Sequence, residues 1–424
     1  MIDKLFKCAI NNSLCNTSYP LNKQSWLDYK CSNHDLFLNE KDLSFYIHIP
    51  FCKSLCSFCE YTKFKKDLIQ EKKYIKILED DIADFIEGHS INKLYGFDIG
   101  GGTPTVLDVS NFIALMNIAK KINLLPHVDD YEPSIEATFA TLDENKIDLI
   151  QEAGFSRISL GIQTINTKIL LDNNRDVVNA NQMRNIISRI KDKNMKVNVD
   201  LMYGIPNQKM EDVENTIKII DIINPSQVTL YEMRYNMVTS NLTFNKEELF
   251  DYYNYFYENL TNLGYTATFG QNTFSKTNDL GLSSYLKYRM IYNVSYKGFG
   301  ISAQSKSSIG LSYSIGKSGE NFEKCIETGS IYEDDIYLLP KEELLAKYIA
   351  VSLYFGNFKL SIMQNILEED PLLKYKSEFE YLKNNDYVEI NGDVVQLTKL
   401  GFKYFGGVGA LFYSNKSKGL VLGD

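Results

Sequence analysis

The chain has 424 residues, of which 44% are apolar and 23% charged, a balance that excludes wholesale disorder, collagen-like repeats and a membrane-embedded body. Its net charge of −9, from 45 basic and 54 acidic residues, argues against a general nucleic-acid-binding surface. Seven Cys, an odd number that cannot all pair within one chain, and 29 Tyr with 24 Phe against a single Trp are what remain to be explained.

The opening MIDKLFKCAINNSLCNTSYP lacks the continuous apolar run of a secretory leader. No stretch approaches the roughly 18 consecutive apolar residues of a membrane span. Clustered thiols in such a chain point to metal or redox chemistry in the cytoplasm rather than to a disulfide framework. Residues 1–43, polar and mixed, read as an N-terminal arm. From 44 to 275, strand-like runs at 44–49, 96–100, 134–139, 157–162, 196–203 and 227–233 alternate with helical stretches such as 71–86 and 109–122. Six such βα units predict an α/β fold with a parallel sheet and crossover helices. Chemistry in such folds sits after the C-terminal ends of the strands.

The stretch 240–336 keeps one helix, KEELFDYYNYFYENLTNLG, and two expected strands before turning Gly/Ser-rich in YKGFGISAQSKSSIG. Residues 276–336 are taken as an extension of the sheet domain. From 337 to 415, two helices, a hairpin at Asn391-Gly392 and a final helix resemble a small winged-helix module. Without a basic stripe it reads as a lid and not as a DNA reader. Residues 416–424 form a tail.

FYIHIPFCKSLCSFCEY places Cys52, Cys56 and Cys59 in C-x3-C-x2-C spacing directly after the first strand. Three thiolates on one loop can share a compact metal centre, whereas structural zinc asks for four ligands. His48 is the nearest fourth candidate, but its strand position before Pro50 makes it a packed core histidine. Three ligands leave one metal position open to a substrate or cofactor. Cys8, Cys15, Cys31 and Cys325 have no matching spacing and read as structural. At the second strand's end, Gly100, Gly101 and Gly102 let backbone approach a ligand closely, with Thr103 beside them. Glu136, among apolar and small neighbours on the third strand, needs a partner.

These motifs together resemble the radical SAM superfamily, and within it the HemN-like group of oxygen-independent coproporphyrinogen III oxidases and their relatives. The resemblance is carried by Tyr46 to Cys52 (Y-x-H-I-P-F-C), Phe58, Gly100–Pro104 (GGGTP), Ile135–Ala137, Leu160–Gln163, Asp200–Pro206 and Gly298–Ser305 (GFGISAQS). With the C-terminal module it spans roughly residues 44–415, and the arm also carries Thr-Ser-Tyr-Pro at 17–20, similar to the arm of the coproporphyrinogen oxidase branch. The resemblance implies a partial (β/α)6 barrel of TIM type with a C-terminal α+β lid. It also implies a [4Fe–4S] cluster on Cys52, Cys56 and Cys59, whose open iron binds S-adenosylmethionine (SAM). By the same resemblance, Gly100, Gly101, Gly102, Thr103, Glu136, Gln163, Arg175 and Asp200 hold SAM, with Tyr46 and Phe58 beside it. The reaction implied is reductive cleavage of SAM to a 5′-deoxyadenosyl radical that takes hydrogen from substrate. An external electron donor of flavodoxin or ferredoxin type is then needed, and a monomer acting on a small molecule is expected.

Three departures narrow the branch. Members of the coproporphyrinogen oxidase kind carry a further Cys two residues after the third ligand, where this chain has Tyr61. On the sixth strand YEMR places Glu232 and Arg234 near the expected substrate side, and Gln304 stands where other members have an apolar residue or His. The haem-chaperone signature H-N-x-x-Y-W is replaced by LSSYLKYRM at 282–290. Tyr46, Glu232, Arg234 and Gln304 are therefore the expected catalytic set, Arg234 and Gln304 also touching a second SAM. The departures favour methyl or methylene transfer with two SAM molecules. The alternative is tetrapyrrole chemistry, meaning coproporphyrinogen decarboxylation or haem cleavage, or a non-catalytic haem carrier.

Overall fold

The computed structural model describes residues 1–12, 19–21, 25–233, 245–316 and 321–423. Cys15 and Arg234 lie outside them. The six expected strands form as β1 (Asp42–Ile49), β2 (Lys93–Gly101), β3 (Ser134–Ala137), β4 (Arg157–Gln163), β5 (Lys196–Tyr203) and β6 (Gln227–Glu232). Each pairs in parallel with the next. Crossover helices α1 (Leu68–Gly88), α2 (Val109–Asn123), α3 (Glu144–Glu152), α4 (Ala180–Asp192) and α5 (Met210–Ile223) cover one face. The first four begin where Asp67, Asp108, Asp143 and Asn179 accept hydrogen bonds from first-turn N–H groups, which satisfies donors that have no partner inside the helix.

The strand pleat sorts this sheet into a dry face and a chemical face. Phe45, Ile47 and Ile49 of β1, Phe97 and Ile99 of β2, Ile158 and Leu160 of β4 and Val197, Val199 and Leu201 of β5 are fully buried against the helices. The residues between them, Tyr46, Asp98, Glu136, Ser159, Asp200 and Thr229, line the interior cavity. The barrel is partial. Antiparallel β7 (Thr273–Ser275) adds to β6 at one edge, and β8 (Tyr296–Phe299) runs parallel to β1 at the other.

Beyond β8 the Gly/Ser-rich stretch is more regular than the two strands expected across 240–336. It forms β9 (Gln304–Lys306) and β10 (Gly310–Ser314), followed by β11 (Glu333–Leu338), all antiparallel in the same sheet. Short side chains let these strands pack tightly. Ser305, Ser307 and Ser312 are fully buried, and the Ser305 hydroxyl accepts the Gly298 N–H at 3.0 Å. A Cβ on Gly298 would lie 2.4 Å from the Gln304 carbonyl oxygen. Loop-like composition is thus compatible with strands where small residues are demanded by close approach.

After β11, helix α6 (Lys341–Ser352) leads into a three-stranded sheet of β12 (Asn357–Lys359), β13 (Val388–Asn391) and β14 (Val394–Leu397), with β14 central. The expected hairpin turns at Gly392, whose φ is +60°. This module lies across the barrel mouth. Ser352 Oγ donates to the Met290 carbonyl at 2.8 Å and the Asn272 N–H to the Tyr354 carbonyl at 3.1 Å. The N-terminal arm reaches the same module: Phe6 stacks on Tyr387 at 4.5 Å. Fully buried Glu343 accepts Trp26 Nε1 at 2.9 Å and Ser414 Oγ at 2.7 Å, and also the Tyr19 hydroxyl. No helix among the described residues is long and apolar enough to cross a membrane.

Candidate active site

A cavity of about 840 Å³ fills the barrel mouth beneath the C-terminal module, within the size range of small-molecule sites. Cys52, Cys56 and Cys59 lie at one side of it, on the loop after β1. Thr103 Oγ1 approaches Cys52 Sγ at 3.9 Å and Arg175 Nη1 approaches Cys56 Sγ at 3.8 Å. Burial pushes the Cys52 thiol up to about 11 and raises that of Cys59, while Lys63 beside Cys59 opposes the rise. Among the described residues no three His, Cys, Asp or Glu side chains converge closely enough for a single metal ion. Three thiols on one loop that line one pocket suit an iron–sulfur cluster. His48 is packed as expected: it is 4% exposed, its Nε2 lies 2.9 Å from the Thr62 carbonyl, and burial pushes it down to about 4.

The Gly100–Thr103 turn ends β2 against this loop. The Gly102 and Thr103 N–H groups donate to the Ile49 and Phe51 carbonyls at 2.8 Å each. A Cβ on Gly102 would fall 2.6 Å from the Phe51 oxygen and 2.9 Å from Cys52 Sγ. The backbone therefore lies directly against the cysteine that opens the cluster motif. Glycine is needed here for packing as well as for any ligand.

Across the cavity floor three carboxyl groups share little positive charge. Asp98 accepts Ser283 Oγ at 2.7 Å and is pushed up to about 7 by burial, against the pull of Ser283 and Arg157. Glu136 faces the open cavity yet lies deep between the barrel walls. That depth and then the nearby Asp200 push it up to about 8, while the Gly101 N–H, donating at 3.1 Å, opposes the rise. Asp200 is raised by burial although Ser159 Oγ donates to it at 2.8 Å and Asn198 Nδ2 at 2.9 Å. Beneath them Arg157, 2% exposed, donates to Gln227 Oε1 at 2.8 Å and Ser134 Oγ at 2.9 Å. Carboxyl groups raised by burial around a cleft mark a candidate polar site.

Of the other expected residues, Arg175 reaches from the segment after β4 to donate to the Gly161 carbonyl at 2.5 Å. Gln163 holds φ at +67° beside a register shift at the end of β4, a strained backbone of the kind that collects at functional sites. Phe58 is buried at the cavity wall, and Tyr46 stacks on Tyr285 at 5.6 Å with 20° between the rings. Gln304 receives Arg289 Nη2 at 3.3 Å and the Tyr296 hydroxyl, and donates to the Tyr313 hydroxyl at 2.7 Å. Glu232 stands at the cavity rim with the Tyr203 hydroxyl bonded to it. Its neighbour Tyr231 lines the cavity too. Asp98, Tyr231, Tyr285 and Arg289 were not anticipated. Strand alternation pointed to Asp98 and Tyr231, two residues before Gly100 and two after Thr229. Nothing local in LSSYLKYRM marks Arg289.

Comparison with known proteins agrees with this geometry. Residues 46–220 match the family described as the radical SAM superfamily. Residues 46–220 are thus a radical SAM domain, and the chain is similar to HemN-like proteins. It is 35% identical over 195 residues to the heme chaperone HemW of Buchnera aphidicola, covering 45% of this chain and 50% of the relative. It is 30% identical over 201 residues to the oxygen-independent coproporphyrinogen III oxidase of Escherichia coli, covering 45% and 42%. The chain spans about half the length of the curated relatives it matches. The fold is that of the solved coproporphyrinogen III oxidase HemN from Escherichia coli, with a TM-score of 0.75 and 20% identity over 94% of this chain and 96% of that one. Radical SAM proteins use a [4Fe–4S] cluster and SAM, and both cofactors stand as expected for this chain.

Proposed function

We propose that this chain is a cytoplasmic radical SAM enzyme that removes hydrogen from a carboxylated tetrapyrrole held in the barrel cavity. The observation that carries the reading is the cavity itself, which joins three cluster-type thiols to aromatic walls built from Phe58, Tyr46, Tyr231, Tyr285, Tyr313, Tyr354 and Phe355. The names of the relatives, a coproporphyrinogen oxidase and a heme chaperone, support tetrapyrrole chemistry over the methyl or methylene transfer that the departures in sequence favoured.

Cys52, Cys56 and Cys59 would hold the cluster, which would supply one-electron reduction of SAM. The chain's own residues bind and orient. The Gly100–Thr103 turn gives SAM a flat approach, and Glu136, open to the cavity, accepts its amino group. Arg175, already beside Cys56, offers a guanidinium fork to its carboxylate, and Asp200 and Gln163 take its hydroxyl or other polar groups. An ammonium brought against Glu136 favours the charged carboxylate, which lowers the group from about 8. Tyr354 and Phe355 of the C-terminal module close the mouth against water, as radical chemistry requires. A flavodoxin- or ferredoxin-like protein is the proposed donor of electrons.

The test is anaerobic reconstitution followed by dithionite, SAM and coproporphyrinogen III. Wild type should release 5′-deoxyadenosine and carbon dioxide, and Cys→Ala at 52, 56 or 59 should release neither. A reconstituted, iron-loaded wild type that never cleaves SAM refutes the enzyme reading. The HemW relatives favour haem carriage as a second reading, which a Soret band on adding haem without SAM turnover would support. Label passing from methyl-labelled SAM into product would restore methyl transfer.

A further inference from the structure

Helix α7 (Ser284–Met290) carries Arg289 into the cavity. Its guanidinium carbon sits 4.6 Å from the Tyr296 ring centre and 5.6 Å from that of Tyr285. Nη1 donates to the Tyr285 hydroxyl at 3.1 Å and Nη2 to Gln304 Oε1 at 3.3 Å. All of these partners are neutral. Among the described residues no Asp or Glu forms an ion pair with Arg289. Arg157, below the carboxyl floor, is bonded to Gln227 and Ser134, and Arg175 lies at the cluster side of the cavity beside Cys56, donating to the Gly161 carbonyl. Lys306 of β9, 6% exposed, lies near enough that its burial and the Arg289 charge both hold its ammonium down, to about 8, against the pull of Glu40.

A half-buried cation without a carboxylate is costly. Two aromatic faces and two neutral acceptors offset part of that cost, and they leave guanidinium N–H groups on the cavity side, since Arg carries five donors. We propose that Arg289, boxed by Tyr285, Tyr296 and Gln304, is the receptor for a carboxylate of the molecule bound in the cavity. The fork geometry suits a bidentate carboxylate, and the Tyr46–Tyr285 stack beside it presents a flat wall to an aromatic body. The proposal rests on the tetrapyrrole reading only for whose carboxylate this is. A propionate of the substrate and the methionyl carboxylate of a second SAM have the same chemistry.

The experiment measures equilibrium binding to the reconstituted holoprotein by fluorescence. The probes are coproporphyrin III and its tetramethyl ester, then 1-pyrenebutyrate and 1-pyrenebutanol, and bound SAM is counted with labelled cofactor. Wild type should prefer each acid to its uncharged analogue. Arg289→Gln should weaken the acids about ten-fold or more and the uncharged forms by less than about two-fold. Arg289→Lys, which keeps the charge but not the fork, should fall between, and iron content with circular dichroism verifies that both variants fold. If coproporphyrin fails to bind wild type but 1-pyrenebutyrate still depends on Arg289, the carboxylate receptor stands and the tetrapyrrole reading falls. If Arg289→Gln instead removes one equivalent of bound SAM, the receptor stands with SAM as the owner of the carboxylate. Unchanged affinity of Arg289→Gln for both acids together with unchanged SAM overturns the proposal.

Discussion

Gly102→Ala is the sharpest probe of how the fold carries the cluster loop. The added methyl would sit 2.6 Å from the Phe51 oxygen, 2.9 Å from Cys52 Sγ and 3.0 Å from the Ile49 oxygen. Two of these atoms are carbonyls already accepting the Thr103 and Gly102 N–H groups at 2.8 Å, so neither retreats without stretching a strand-end hydrogen bond. Overpacking of this kind costs about 1–3 kcal/mol, and each bond given up adds about 1 kcal/mol. The expected loss is about 2–4 kcal/mol in the urea unfolding of the apoprotein. Because the pinch falls on Cys52, iron per chain after reconstitution should drop even where the variant is fully folded. Gly88→Ala is the control. Nothing lies within 4 Å of a Cβ there, and the position closes a helix, so it should be neutral or stabilising by up to about 1 kcal/mol. A Gly102→Ala protein that unfolds at the wild-type midpoint and loads wild-type iron would refute the reasoning.

Three further outcomes are expected. Asp98, held at about 7 when folded against an ordinary value of 3.8, keeps a proton that the unfolded chain releases, so its contribution to stability falls as pH rises from about 4 to about 7. Asp98→Asn should therefore match wild type near pH 4 and exceed it at pH 8, by about 2 kcal/mol after allowance for cavity water; a pH-independent difference in denaturation midpoints would count against this. Glu343→Leu strands the Trp26, Ser414 and Tyr19 donors in a dry interior, which should cost about 3 kcal/mol. As Trp26 is the chain's single tryptophan, its emission should shift to the red; an unmoved spectrum would mean the arm is held otherwise. Arg157→Met removes the cation that stabilises the Asp98, Glu136 and Asp200 charges, and SAM affinity measured between pH 6 and 9 should move its carboxyl titration to higher pH. A profile identical to wild type would remove Arg157 from the electrostatics of the site.

Much of the architecture was legible in sequence because period-two apolar strands and period-3.6 helices each leave a local mark. The β5 strand was read to the residue, Lys196–Tyr203, since alternation there is uninterrupted. The stretch 296–314 was under-read because its strands are built from Gly and Ser, whose reason for being there is the neighbouring strand and not the local chain. The interior ladder from Tyr46 through Asp98, Glu136 and Asp200 follows from alternation once the inward face is known. Glu232 lines the cavity as expected, and its neighbour Tyr231 lines it too.

By itself the sequence determined the βα repeat, the thiol loop after the first strand and the glycine turn after the second, because each is written in contiguous residues with strict spacing. Only the tertiary structure decided what surrounds them. It brought Arg289, Tyr296 and Gln304 together from separate segments, folded the C-terminal module over the mouth, and set the carboxyl groups of Asp98 and Glu136 high, chiefly by depth and then by neighbouring carboxylates. Spacing along a chain records local geometry, while burial and unpaired charge depend on which distant segments close over a side chain.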